Sequence, residues 1–146
     1  MKKVIVSFAL LFAIGVATVS ASPVDLDPRV EKTFQKEFSG AEHVKWSEDH
    51  EYIKASFVLG GQRTQAWFNK EGMFVGSIRG ISYNQLPLLV TRSLNERFSQ
   101  PILIELREVT NAEGTRYKLV IEEKNRKYRV SIDPDGNFEE KQRIKE

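Results

Sequence analysis

Apolar residues recur along this chain first with a helical period and then with the period of two that marks strands. Asp27-Pro28 precedes Val30, Phe34 and Phe38, each four residues apart. Asp is a favoured N-cap and Pro a favoured first helical residue, so the spacing predicts a helix that ends at Gly40. The two Phe read as core packing. Val44 and Trp46 belong to a short first strand, with Trp46 as core or rim packing. From Glu51 to Leu59 the chain alternates, with Ile53, Ala55, Phe57 and Leu59 on one face and Tyr52, Lys54, Ser56 and Val58 on the other. Gly60-Gly61 is a two-residue hairpin signal. The return strand, Gln62 to Asn69, turns Thr64, Ala66 and Phe68 inward and Gln65 and Trp67 outward. A turn over Asn69-Lys70-Glu71-Gly72 leads into a fourth strand, Met73 to Gly80, with Phe74 and Ile78 expected on one side.

Tyr83 to Phe98 reads as a second helix, with Leu86, Leu89 or Val90, Leu94 and Phe98 as its stripe and Pro87 in its first turn. Four more strands are expected at Ile102–Val109, Arg116–Glu122, Arg126–Asp133 and Phe138–Ile144. The order helix, four strands, helix, four strands suggests an internal repeat. An offset of 64 residues carries Ile53, Ala55 and Phe57 onto Tyr117, Leu119 and Ile121, and Gly72 onto Gly136. The expected fold class is therefore α+β, with two tandem pseudo-repeats spanning about residues 27–81 and 83–146. Each would be one helix packed on its own four-stranded antiparallel sheet.

The first 21 residues change the charge arithmetic. Lys2 and Lys3 precede an apolar run, and Val19-Ser20-Ala21 offers small residues before Ser22. This is the pattern of a secretory signal peptide cleaved near Ala21-Ser22. The run is short for a span needing roughly 20 apolar residues, so no stable membrane anchor is expected after cleavage. The segment removes two of the 22 Lys and Arg and none of the 20 Asp and Glu, leaving a neutral domain over residues 22–146. A neutral domain argues against nucleic acid, whose phosphates call for a clustered excess of basic side chains. The absence of Cys excludes disulfides, thiol catalysis, thiolate metal sites and a lipidated cysteine after the leader. A periplasmic or secreted single domain is expected.

The run Phe38-Ser39-Gly40-Ala41, then Val44-Lys45-Trp46, then Tyr52 heading an alternating strand, Phe68, the Gly72 turn and Leu86-Pro87 resembles the exported PepSY-like proteins common in Bacteroidetes. These are also described as similar to the beta-lactamase inhibitor protein. The resemblance covers essentially all of residues 22–146, and its motifs are structural. It implies tandem helix-plus-four-strand modules, export and no established enzymatic activity. The inhibitor likeness implies a protein partner bound across the open sheet face.

Candidate chemistry is sparse. His43 and His50 flank the first strand and read as solvated loop residues, so no metal site is expected. Asp133-Pro134-Asp135-Gly136 has some likeness to a calcium loop but reads better as a hairpin turn between strands. No serine stands in a Gly-x-Ser-x-Gly frame, and the adjacent pairs Glu122-Glu123 and Glu139-Glu140 point to opposite faces of a strand. No phosphate-cradling loop is present. Neither an enzyme nor a cofactor is expected.

The outward faces carry more information. Tyr52, Lys54, Val58 and Trp67 share one, and exposed aromatic side chains beside cations are the composition of a recognition surface. The same Tyr52 and Trp67 would equally serve as a cross-strand pair supporting the sheet. The corresponding face of the second half carries Arg116, Lys118, Val120, Glu122, Lys127 and Arg129, read as a solvated charge ladder. The expected function is an exported non-catalytic binding module that recognises a protein or peptide partner through its open sheet face, an inhibitor being one form of it. The alternative is a small-ligand-binding or envelope-stress accessory protein with a pocket beneath a helix or between the two halves.

Overall fold

A computed structural model describes residues 24–144; the expected leader and its cleavage point lie outside them. The elements run α1 (Pro28–Glu37), β1 (Glu42–Asp49), β2 (Tyr52–Leu59), β3 (Gln62–Phe68), β4 (Phe74–Gly80), a 3-10 turn (Tyr83–Gln85), α2 (Leu88–Arg97), β5 (Ile102–Asn111), β6 (Gly114–Glu123), β7 (Arg126–Ile132) and β8 (Phe138–Ile144). All eight strands form a single antiparallel sheet in chain order.

This overturns the expected architecture. Two repeats, each a helix on its own four-stranded sheet, would leave β4 and β5 as separate sheet edges. Instead β4 pairs with β5 from Gly76↔Asn111 to Gly80↔Arg107. An unpaired edge leaves backbone N–H and C=O groups without partners, and joining these two edges satisfies them. The sheet is one continuous layer, with two α-helices among the described residues.

Helix α1 starts as its sequence directs. The Asp27 carboxylate accepts the Arg29 backbone N–H at 2.8 Å, and Val30 and Phe34 are its buried positions. They pack against Ile53, Ala55, Phe57, Ala66 and Phe68. Phe34 meets Trp46 and Phe57 at ring separations of 5.0 Å, both edge-on, the geometry aromatic quadrupoles favour.

The second helix is shorter than its periodicity suggests. Leu86 precedes Pro87 and adopts an extended conformation, φ −67° and ψ 143°. A residue before proline is pushed out of the helical region, so the segment breaks into a 3-10 turn and then α2. Ser82 donates its backbone N–H to the Gln85 side chain at 2.8 Å, closing that turn. Val90 and Leu94 of α2 then bury against Leu106, Tyr117, Leu119, Ile121, Val130 and Ile132.

Strand register places both helices on the same side of the sheet. Ala66, beneath α1, lies opposite Ser77, Ser77 opposite Thr110, and Thr110 opposite Thr115, two residues from the buried Tyr117. Among the described residues no helix lies on the other side. Two glycines hold the turns against the helices. Gly72 has φ +87°, and a Cβ there would lie 2.7 Å from Arg29 Cβ. Gly136 has φ +88°, and a Cβ there would lie 2.7 Å from the Leu89 carbonyl oxygen. Both need the left-handed conformation and the missing side chain.

Candidate functional site

The helix-free side presents alternate residues of β2 and β3, because the buried set of each strand faces the helices. Tyr52, Lys54 and Val58 come from β2, and Arg63, Gln65 and Trp67 from β3. All four sequence-predicted site residues, Tyr52, Lys54, Val58 and Trp67, therefore share this face, and all four are half-buried. Lys54 pairs directly with Trp67, and Val58 with Arg63. Tyr52 is diagonal to Trp67, since their strand neighbours Ile53 and Phe68 are the directly opposed pair.

Trp67 is held in place. Its indole Nε1–H donates to Asp49 Oδ2 at 2.8 Å, across the intervening strand β2. Asp49 Oδ1 lies 3.0 Å from His50 Nδ1. The indole N–H above all, and then His50, hold the Asp49 carboxyl below its ordinary value of 3.8. Tyr52 is pushed up from 10.0, chiefly by the negative charge of Glu51.

Sequence reasoning missed Val75, Gly76, Ile78 and Val109 on this surface. Trp67, Tyr52, Val75, Gly76, Ile78 and Val109 line one shallow, largely apolar groove of about 360 Å³. Ile78 was expected on the same side as Phe74, two pleats away. A bulge between Trp67 and Phe68 shifts the β3–β4 register, so that Gly76 faces Trp67 but Phe74 faces Phe68. One extra residue inverts the facing of everything beyond it. Phe74 thereby joins the core under α1, while Ile78 turns to the open side opposite Gln65 and Val109. The available signal was Gly76, since a glycine inside a strand often marks a bulge or a close approach.

A second groove, of about 480 Å³, continues the first towards the other end of the strands. Ile78 and the Val58–Arg63 end of the hairpin belong to it, together with His43, Lys45 and Arg107. Trp46, by contrast, faces α1, 5.0 Å from Phe34. His43 and His50 are both exposed, with φ of 54° and 58°. Asp133 closes the 133–137 turn by accepting from the backbone N–H groups of Asp135 and Asn137 at 3.0 and 2.9 Å, so the segment is a turn between β7 and β8. Among the described residues no group of three His, Cys, Asp or Glu could hold a metal ion. No helix among them is long and apolar enough to cross a membrane. A smaller pocket of about 260 Å³ lies beside α2, lined by Tyr83, Leu94, Asn95, Pro101, Leu103 and Ile121 among others.

No family model matches the chain, and no curated protein matches it either. Solved structures do. A BLIP-like protein from Bacteroides fragilis aligns with a TM-score of 0.71 at 16% identity, over 81% of this chain and 86% of that one. A DUF2874 family protein from Bacteroides ovatus aligns at 0.69 and 23% identity, over 82% and 89%. A protein assigned to the periplasm of Bacteroides eggerthii aligns at 0.68 and 23% identity, over 81% and 88%. The expected inhibitor-protein likeness thus recurs among the structures, and the PepSY-like one does not. At these identities the likeness is one of fold: this chain has the architecture of BLIP-like and DUF2874 structures from Bacteroides.

Proposed function

We propose that this protein is an exported, non-catalytic binding module whose helix-free sheet face engages a protein or peptide partner. The observation that carries the reading is the apolar groove around Trp67, with Tyr52, Val75, Ile78 and Val109, on a face that no helix of the described residues covers. Aromatic anchors in shallow apolar grooves with a polar rim are where binding energy concentrates. Trp67 is pre-positioned by Asp49, which lowers the ordering cost of using it as an anchor. The shared fold with a BLIP-like protein supports a protein-directed role. Export is supported by the leader pattern of residues 1–21 and by the periplasmic assignment of the Bacteroides eggerthii protein.

The test is capture from cell-envelope extract by residues 22–146 beside a Tyr52→Ala, Trp67→Ala variant of matching circular dichroism. A protein captured by the parent and lost by the variant supports the reading. Equal capture by both contradicts it.

The pocket beside α2 favours a second reading, a module for a small apolar ligand. A thermal-shift screen of small apolar compounds tests it, since a ligand held there raises the melting temperature and Leu103→Trp, which fills the pocket, removes that rise.

A further inference from the structure

We propose that the segment docking on this face is acidic at one end and apolar at the other, lying along the strands with its carboxylates on Lys45, Arg63 and Arg107. This rests on the open face being the docking surface and names the chemistry of its occupant.

The face is polarised along the strands. On β3 alone, Arg63, Gln65 and Trp67 follow one another on the same side. At about 3.3 Å per residue, the cationic and aromatic ends are roughly 13 Å apart, the reach of about four extended residues. The Trp67 end holds the apolar groove, where Lys54, directly opposite Trp67, is offset by the neighbouring Asp49 carboxylate. The Arg63 end holds the second groove, whose lining includes His43, Lys45, Arg63 and Arg107 and no carboxylate. Ile78 lines both, so the two form one continuous trough.

The basic end is a local segregation of charge. Residues 22–146 carry equal numbers of acidic and basic side chains. On the second half of this face Arg116 takes Glu139 at 2.7 Å. Arg107 is engaged by Glu105 from its own strand. Glu42, at the start of β1, pairs its backbone with Val58 at the rim. Lys45 and Arg63 are exposed, and among the described residues neither makes an ion pair. Clustered like charges beside a concave apolar surface raise the local concentration of an anionic partner and set its orientation. Arg63 can hold a carboxylate bidentately, and Lys45 adds a point charge.

The experiment is selection of random peptides displayed on phage against immobilised residues 22–146. Lys45→Gln/Arg63→Gln and Trp67→Ala variants follow, with vesicles of phosphatidylglycerol in phosphatidylcholine as a separate arm. Both cations are exposed, so the first variant keeps the fold, checked by circular dichroism. The expected result is enrichment of peptides carrying Asp or Glu within about four residues of an aromatic or aliphatic residue. Their affinity should fall about tenfold with Lys45→Gln/Arg63→Gln and fall with added salt. Enriched peptides without acids, lost only with Trp67→Ala, would overturn the acidic segment while leaving the docking face standing. Peptides indifferent to both variants, or no enrichment, would overturn both. Binding of the vesicles with no acidic peptide enriched would overturn this inference in favour of a membrane surface.

Discussion

Trp67 of β3 and Asp49 of β1 are joined across β2 by an indole-to-carboxylate hydrogen bond of 2.8 Å. The bond fixes the largest side chain of the open face and ties the outermost strand to the third. Replacing Asp49 by Ala should free the ring. In ¹⁵N-correlated NMR the Trp67 indole N–H should move upfield, while that of Trp46, packed on Phe34, stays in place.

The same bond gives a pH dependence of known sign. The Asp49 carboxyl titrates below 3.8 because the indole N–H and His50 favour its charged form. A depressed folded-state value means the contribution is complete above the unfolded value and is lost as pH falls through the folded one. The Trp67 indole resonance should therefore titrate with a midpoint below 3.8. Asp27, held down to about 2 by Arg29, behaves alike. Asp27→Ala should lower the melting temperature at neutral pH, and the gap should close as pH falls from about 4 towards about 2.

Phe74 belongs to the core and Ile78 to the open face. Phe74→Ala removes a ring that lies 5.6 Å from Phe38 and 5.9 Å from Phe68, so the urea midpoint should fall clearly. Ile78→Ser should leave the midpoint close to the parent's and weaken partner capture. Had the β3–β4 bulge been absent, both would have damaged stability.

Phe68 is fully buried beneath α1 and meets four aromatic rings. Phe68→Ala should cost about 3–5 kcal/mol in urea unfolding.

Gly136→Ala should also destabilise. The left-handed backbone alone costs about 1–2 kcal/mol for a residue with a side chain. The added Cβ would sit 2.7 Å from Leu89 O and 2.6 Å from Ser93 Oγ, pushing the β7–β8 turn off α2. Gly114→Ala has open space around it, so it should suffer the backbone strain without that collision.

Much of the architecture was legible locally. The Asp27-Pro28 start, the Val30–Phe34 stripe and the alternation of β2 and β3 follow from capping chemistry and pleat geometry. The pairing of β4 with β5 was not, because it joins strands separated by the whole α2 segment, and their alternation is equally consistent with two free edges. The 3-10 break before α2 was readable from Pro87, whose preceding residue avoids the helical region. In the candidate site, Tyr52, Lys54, Val58 and Trp67 were gathered correctly on one face by parity alone. Val75, Ile78 and Val109 escaped because a bulge resets parity and because Val109 reaches the site only through the β4–β5 pairing.

Site-specific photo-crosslinking tests the docking face most directly. A photoreactive residue at Ile78, in the floor of both grooves, is compared with one at Leu88, which is 81% exposed on α2. Both variants are exposed to cell-envelope extract and irradiated. The account predicts a discrete adduct from position 78, abolished by Trp67→Ala, and none from position 88. An adduct from position 88 alone would place the partner on the helical side and contradict the account.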